Sequence, residues 1–219
     1  MSPTRDRLLA QVAAAVPDPA ERGAPVRVAV DGVDGAGKSV FADDLAEALK
    51  KLGREVVRVS IDAFHAVQER RYVRGVLSPE GYWLDSYDYE AFKAQVLEPF
   101  APDGSRRFRR SAHDVVTDAM LDEPWEQAPD ACVLLVDGIF LHRDELAGAW
   151  DFSLFLAVDF KTLVARISRR DGASPDPGDL RSRRYIGGQR LYLRSCRPAG
   201  HASMVIDNND FDRPVIRRR

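Results

Sequence analysis

Segments with short apolar runs, typical of buried strands, alternate along this chain with segments whose apolar residues recur at helical spacing. Short apolar or β-branched runs predict five strands: Val26 to Val30, EVVRVSI from Glu55, Cys132 to Val136, DFSLFLAV from Asp151, and Ser203 to Ile206. The predicted helices are an opening helix, one that ends at Gly53, residues 88 to 98, Lys161 to Arg170, and Leu180 to Arg197. Strands that alternate with helices predict an α/β fold in which a parallel sheet is covered on both faces.

A single domain accounts for this pattern. The chain has 219 residues, which suits one large domain. The turn-rich segment VPDPAERGAP precedes the first strand, so residues 1–25 are interpreted as an N-terminal helix and linker of a domain that spans residues 1–219. Gly187 and Gly188 weaken the helical pattern in the last long helix. The terminal arginines, Arg217 to Arg219, are interpreted as a solvated tail.

Composition and charge narrow the class of protein. Hydrophobic residues make up 45% and charged residues 30%, and the net charge of −2 gives no electrostatic bias toward nucleic acid. No segment approaches the roughly 18 consecutive apolar residues that a membrane span needs. The two cysteines, Cys132 and Cys196, match no metal-binding spacing, and so few cysteines fit a reducing compartment. We therefore expect a cytoplasmic protein with neither a nucleic-acid nor a membrane partner.

A glycine-rich loop follows the first strand and carries the strongest chemical signal. Residues 32–39 read GVDGAGKS, which fits G-x-x-x-x-G-K-[ST]. Glycines allow a tight turn whose backbone N–H groups, with the positive end of the following helix, hold phosphate oxygens. Lys38 is expected to neutralise the transferring phosphate, and Ser39 to offer its hydroxyl to Mg²⁺. The predicted ATP-binding residues in this phosphate loop are Gly32, Asp34, Gly35, Ala36, Gly37, Lys38, Ser39 and Val40.

Two aspartates at strand ends complete the predicted chemistry. Asp137 ends the apolar strand CVLLV and is the candidate second ligand for Mg²⁺, although turn aspartates are common at strand ends. Asp62 ends the strand EVVRVSI and is the candidate base that accepts the proton of an attacking hydroxyl. It could also cap the helix that starts near Phe64. Because ligands of open α/β sheets bind beyond the carboxyl ends of strands, we expect Lys38, Asp137 and Asp62 at one rim.

Four further residues are candidates for binding the acceptor. His65 lies close to Asp62, but a lone histidine is more often structural. Asp88 in SYDYEAF could bind a substrate hydroxyl or cap the following helix. His113 and Asp114 lie in the polar stretch RRSAHDVVTD, which could line a pocket or form a solvated loop.

An arginine cluster predicts a mobile lid over residues 166–184. Arg166, Arg169 and Arg170 share one helix face, and Arg181, Arg183 and Arg184 follow the loop GASPDPGD. Arginine forks suit phosphate oxygens, and a closing lid would exclude water from the reaction. We assign catalytic roles to Arg166 and Arg170 and nucleotide binding to Arg169, with a solvated basic face as the alternative.

Taken in order, these motifs resemble the uridine kinase branch of P-loop kinases, which includes phosphoribulokinase and bacterial pantothenate kinase. The markers run from Val26 to Asn209: GVDGAGKS, SIDAFH, SYDYEAF, VDGIF, RISRRD and RPAGHASMVID. The resemblance implies a five-stranded parallel sheet with a small added β element near the acceptor. It also implies that Asp62 is the catalytic base and that Asp88 helps to hold an acceptor sugar. Asp137 stands where uridine kinases usually have glutamate, and the three clustered arginines resemble their lid arginines.

The acceptor stays open at this point. ASPDPG replaces the Arg-Gly-Arg stretch that uridine kinases carry after the lid arginines, and RRSAHDVVTD differs from their uracil-reading segment. We expect a nucleoside such as uridine; the alternatives are a pantothenate-like or sugar acceptor, a thymidylate-type kinase, and a nucleotide sensor without catalysis. A GTPase would need an N-K-x-D motif, which the chain lacks. Family members are often oligomers, so a homo-oligomer is also expected from the resemblance.

Overall fold

The computed structural model describes residues 2–146, 148–171 and 180–218, and its main sheet contains the five predicted strands. Its strands are β1 (Val26–Gly32), β2 (Val56–Ser60), β3 (Arg107–Phe108), β4 (His113–Asp114), β5 (Ala119–Met120), β6 (Glu126–Gln127), β7 (Val133–Gly138), β8 (Phe152–Ala157), β9 (Met204–Asp207) and β10 (Val215–Arg218). The main sheet has the order β10-β9-β8-β1-β7-β2, and all neighbours are parallel except β9 and β10. Strand β7, which lies between β1 and β2, is buried at every position, as expected for a parallel strand covered on both faces.

Helices cover the two faces of this sheet. They are α1 (Pro3–Ala15), α2 (Pro19–Arg22), α3 (Lys38–Lys51), α4 (Gln68–Arg71), α5 (Pro79–Asp85), α6 (Tyr89–Phe92), α7 (Phe160–Asp171), α8 (Leu180–Cys196) and α9 (Pro198–His201). One buried cluster joins the sheet to α1 and α3, and a second cluster joins the other face to α5, α6 and α8. Among the described residues, none of the helices has both the length and the apolar content needed to cross a bilayer.

The end of the chain differs from the predicted solvated tail. Arg217 and Arg218 lie in β10, a sixth strand that pairs antiparallel with β9. Arg217 forms an ion pair with Asp207, and Arg218 donates to the main-chain oxygens of Ala199 and Ala202. The tail interpretation was wrong for these two arginines because edge strands carry charged side chains that look like a solvated segment in sequence.

Helix α8 runs unbroken through the two glycines that weaken its pattern. A Cβ atom at Gly187 would lie 2.7 Å from Pro79 Cβ, and one at Gly188 would lie 2.7 Å from the Pro79 oxygen. The glycines therefore let α8 pack closely against α5, and this contact offsets their poor helix propensity. Helix α5 was not predicted, although Ser78 caps it and Pro79 opens it.

The predicted helix over residues 88–98 is divided. Residues Tyr89–Phe92 form α6, and Lys93–Leu97 continue it as a π-helical turn. Two small hairpins follow, in which β3 pairs with β6 and β4 pairs with β5. They supply the added β element that the resemblance implies.

Candidate active site

The phosphate loop connects β1 to α3 through tightly constrained glycines. Gly37 has φ of 85° and is the last residue of the loop, directly before Lys38, the first residue of α3. A Cβ atom at Gly37 would lie 2.3 Å from the ring of Phe211, so only glycine fits there without displacing that ring. A fourteen-residue helix follows the loop. Its N-terminal N–H groups and its dipole favour an anion at this point.

Two loop side chains are held by the protein itself. Lys38 Nζ donates to the Val33 main-chain oxygen at 3.0 Å. Asp34 N–H donates to Gln189 Oε1 at 2.8 Å, while Gln189 Nε2 and the Tyr82 hydroxyl both donate to Asp34 Oδ2, at 3.1 and 2.7 Å. Asp34 therefore ties the loop to α5 and α8. The predicted contact of Asp34 with nucleotide stays a prediction.

The proposed metal ligands come together. Ser39 Oγ donates to Asp137 Oδ2 at 2.6 Å, and Asp137 is only 2% exposed at the end of β7. One hydroxyl and one carboxylate oxygen at the same point form the hard-oxygen donor pair that Mg²⁺ prefers, with remaining positions filled by water or phosphate oxygens. Among the described residues, no three His, Cys, Asp or Glu side chains cluster as a metal site. The donor set present fits a magnesium ion that arrives with a nucleotide.

Asp62 lies at the same rim and is held by a buried phenol. Ser60 of β2 lies opposite Asp137 of β7, and Asp62 comes two residues after Ser60 in the chain. Asp62 therefore lies just beyond the proposed metal ligand at the carboxyl edge of the sheet. Its side chain is exposed, and the Tyr87 hydroxyl donates to Asp62 Oδ1 at 2.6 Å. Burial, together with the negative charge of Asp62, raises the pKa of Tyr87 well above its usual value. Tyr87 therefore stays protonated and donates one fixed hydrogen bond to the carboxylate.

His65, Asp88 and His113 surround the segment that carries Asp62. His65 Nδ1 donates to the main-chain oxygen of Asp62 at 2.6 Å, and burial lowers the pKa of His65 below its ordinary value. Asp88 N–H donates to the Phe64 oxygen, and Ala112 N–H donates to the Ala63 oxygen. These backbone bonds bring the predicted acceptor residues of three segments together.

Part of each acceptor candidate is used within the protein. Asp88 Oδ1 caps α6 by accepting from Ala91 N–H at 3.1 Å. His113 is buried and its Nε2 donates to Asp118 Oδ1 at 3.0 Å. Asp114 accepts from the N–H groups of residues 116 and 117, and these backbone donors lower its pKa. Their contacts with an acceptor stay predictions.

The predicted lid arginines differ in their surroundings. Arg166 donates to the oxygens of Gly35, Asn208 and Asn209, and its guanidinium carbon lies 3.6 Å from the centre of the Phe211 ring. Arg169 is exposed. The side chains of Arg170 and Arg181 and the predicted loop of residues 172–179 lie outside what the structure describes. Arg166 thus connects the phosphate loop to the segment after β9, and the catalytic role assigned to it stays a prediction.

Arg184 was predicted to belong to the arginines of the lid that bind phosphate, but its side chain contacts the protein's own backbone. It is buried and donates to the main-chain oxygens of four residues, all at 3.3 Å: Arg71, Gly75, Val76 and Ser78. Its guanidinium also lies over the ring of Tyr72 at 4.9 Å. In this arrangement Arg184 holds the segment between α4 and α5 to α8, so its donors face backbone carbonyls.

A buried polar network beneath the loop was not singled out from sequence. Asp31 is fully buried and accepts from His142 Nδ1 at 2.6 Å and from the Tyr192 hydroxyl. His142 Nε2 is 3.0 Å from Ser153 Oγ. Burial raises the pKa of Tyr192 above its usual range. The network links β1, α8 and β8. In the sequence, only Asp31, an acid inside the apolar strand β1, could have indicated it.

Comparisons with solved structures identify the fold. A possible uridine kinase from Bacillus stearothermophilus superposes with a TM-score of 0.70 at 20% identity, covering 92% of this chain and 96% of that one. A Silicibacter protein provisionally named a fructose transport system kinase gives 0.61 at 22% identity, with 89% and 94% covered. The D-glycerate 3-kinase of Cryptococcus neoformans gives 0.56 at 12% identity, with 87% and 89% covered.

Comparisons of sequence find no matching family model and no matching curated protein. The structural similarity extends over nearly the whole length of each chain, and it includes the parallel sheet with helices on both faces. This chain therefore has the fold of the uridine kinase-like P-loop kinases.

Proposed function

We propose that this protein transfers the γ-phosphate of ATP to a hydroxyl group of a small molecule. The observation that carries the proposal is the contact between Ser39 Oγ and Asp137 Oδ2, at the same sheet rim as the exposed carboxylate of Asp62. A phosphate loop alone would fit any nucleotide-binding protein. A carboxylate placed to accept a hydroxyl proton is what a phosphotransferase adds to it.

Each group has a distinct task in this proposal. The phosphate loop binds the nucleotide phosphates through its N–H groups, and Lys38 exchanges its contact with the Val33 oxygen for a phosphate oxygen. A magnesium ion, held by Ser39 and Asp137, would neutralise charge on the phosphates. Asp62 accepts the proton of the acceptor hydroxyl, and Tyr87 fixes the carboxylate while it does so. Arg166 and Arg170 are proposed to stabilise negative charge on the transferring group.

The acceptor is proposed to be a small hydroxyl compound without a phosphate group, with a nucleoside such as uridine as the first candidate. Solved structures with this fold carry the names of different kinases, namely a possible uridine kinase, a proposed kinase of a fructose transport system and a D-glycerate 3-kinase. A non-nucleoside sugar or pantothenate-like acceptor is therefore the second candidate. Asp62 and Asp88 are proposed to face the acceptor. The negative charge of Asp62 disfavours an acceptor that is already phosphorylated, such as thymidylate, whereas that of Asp88 is partly offset by Arg70 at 3.8 Å.

The test is ADP release from Mg-ATP with a panel of acceptors: uridine, cytidine, pantothenate, ribose, fructose, glycerate, ribulose 5-phosphate and dTMP. We expect one of the unphosphorylated hydroxyl compounds to stimulate turnover and Asp62→Asn to abolish that stimulation while ATP binding is retained. Asp103→Asn is the matched control, because it removes the same charge from an exposed residue outside the proposed site. Full acceptor-dependent turnover in Asp62→Asn would refute the assigned mechanism. ATP binding with no stimulated turnover would instead support a nucleotide sensor.

A further inference from the structure

Arg58 is a charged side chain inside a strand, next to the proposed metal site. It lies on β2 between Val57 and Val59, which are buried in the core on the opposite face of the strand. Its own side chain points to the face covered by α3 and is 24% exposed. An arginine in a short strand that otherwise buries valines needs polar partners on its face of the sheet.

Every donor group of the Arg58 guanidinium is used. Nη2 donates to Asp137 Oδ1 at 3.0 Å, and Nη1 donates to the Leu135 main-chain oxygen at 3.0 Å. Nε and Nη2 also approach Asp43 Oδ1 at 3.2 and 3.1 Å. Because the Asp43 side chain is 71% exposed, its ion pair contributes little, whereas Asp137 is 2% exposed. The pair that matters is therefore Arg58 with Asp137.

This geometry divides the two oxygens of Asp137 between two partners. Oδ2 faces the Ser39 hydroxyl, where the metal is proposed to bind, and Oδ1 faces Arg58. The charge of the carboxylate is thus already balanced before any metal arrives. A divalent cation without nucleotide would meet a carboxylate that is already paired with a guanidinium, which disfavours its binding. A nucleotide brings negative phosphates and changes that balance.

We propose that Arg58 is a positioning residue that orients Asp137 and makes metal binding at Ser39 and Asp137 depend on a bound nucleotide. The inference rests on the proposed function, because it takes Ser39 and Asp137 as the metal ligands. In thermodynamic terms, Arg58 increases the coupling between metal and nucleotide: it lowers the affinity of the nucleotide-free site and leaves that of the loaded site nearly unchanged.

Mn²⁺ titration followed by electron paramagnetic resonance tests this with the full chain, alone and with a non-hydrolysable ATP analogue. Arg58→Met removes the charge but keeps most of the side-chain length, and Arg58→Lys keeps the charge. We expect Arg58→Met to bind Mn²⁺ without nucleotide about tenfold more tightly than the wild type, and Arg58→Lys to match the wild type. With the analogue bound, all three proteins should agree within about threefold.

Two results would overturn the inference: an Mn²⁺ affinity of nucleotide-free Arg58→Met that is unchanged or weaker, or an equal gain in Arg58→Lys. If circular dichroism shows that Arg58→Met is unfolded, Arg58→Gln carries the same expectation, because its amide can still donate to Asp137. Asp137→Asn separates this test from that of the proposed function. If Asp137→Asn leaves Mn²⁺ binding intact, the metal site itself is wrong; if it abolishes binding while Arg58→Met has no effect, only the role of Arg58 is wrong.

Discussion

A single methyl group at Gly138 tests the geometry of the metal site. Gly138 follows Asp137 at the end of β7 and has φ of 156°. A Cβ atom there would lie 2.2 Å from Ile61 Cγ2 and 3.3 Å from Ile61 Cβ. Ile61 is fully buried, so it has no free space to move into. Gly138→Ala must therefore displace Ile61 or the end of β7, and Asp137 moves with the strand.

The size of the effect follows from these distances. Carbon atoms in contact lie about 3.5–4 Å apart, so the two groups must separate by more than about 1 Å. Overpacking of this kind costs about 1–3 kcal/mol, and the unfavourable φ adds about 1 kcal/mol or more. We expect Gly138→Ala to lose about 3 kcal/mol of the free energy of unfolding. It should also weaken Mn²⁺ binding in the presence of nucleotide about tenfold or more, because Asp137 no longer faces Ser39.

Urea denaturation and Mn²⁺ titration measure the two effects, and Gly53→Ala is the matched control. Gly53 has φ of 77° and nothing within 4 Å of an added Cβ, so its substitution isolates the backbone term of about 1 kcal/mol. In the double variant Gly138→Ala/Ile61→Ala the added methyl group fills space that the isoleucine vacates. Its loss should be smaller than the sum of the single losses by about 1 kcal/mol or more. If the losses of the two single variants simply add in the double variant, or if Gly138→Ala is no less stable than Gly53→Ala, the proposed clash between Gly138 and Ile61 is wrong.

Three further predictions concern side chains around the site. Tyr87→Phe removes the donor to Asp62 and should lower kcat about tenfold with little change in the KM for ATP, measured by acceptor-dependent ADP release. Arg166→Met removes the contact with the Gly35 oxygen and should weaken nucleotide binding in calorimetry about tenfold, and Arg169→Met, at the predicted nucleotide-binding arginine, should weaken it as well. Burial lowers the pKa of His65, so the unfolded chain binds this proton at a higher pH than the folded state does. The free energy of unfolding therefore decreases as the pH drops below about 6.5, the ordinary pKa of histidine. In urea denaturation, His65→Asn should lose less stability on acidification than the wild type.

Features encoded by local spacing were predicted well from the sequence. The five parallel strands and the phosphate loop follow from runs of a few residues, and each strand lies within about two residues of its predicted place. The strand-end rule also placed Asp137 and Asp62 at one rim, because parallel strands share their carboxyl edge. These arguments need no knowledge of distant partners.

Features that depend on partners far along the chain were not predicted. Nothing near Tyr87 in sequence shows that its hydroxyl reaches Asp62, 25 residues away. Arg184 looks like a further phosphate arginine by charge and spacing, and only its contacts with the carbonyls of residues 71–78 show a different task. Likewise Arg58 could not be linked to Asp137, 79 residues away, before strand register was known.

We propose that a phosphate group moves from ATP to an acceptor hydroxyl with Asp62 as the base. The most direct measurement incubates the full chain with γ-³²P-labelled ATP and the small-molecule fraction of a cell extract, and follows the label by chromatography. We expect label to enter one new phosphate monoester with the wild type and with Asp103→Asn, and none to enter it with Asp62→Asn. Label that appears only as inorganic phosphate would show that no acceptor hydroxyl is phosphorylated. A monoester that forms equally with Asp62→Asn would show that Asp62 is not the base.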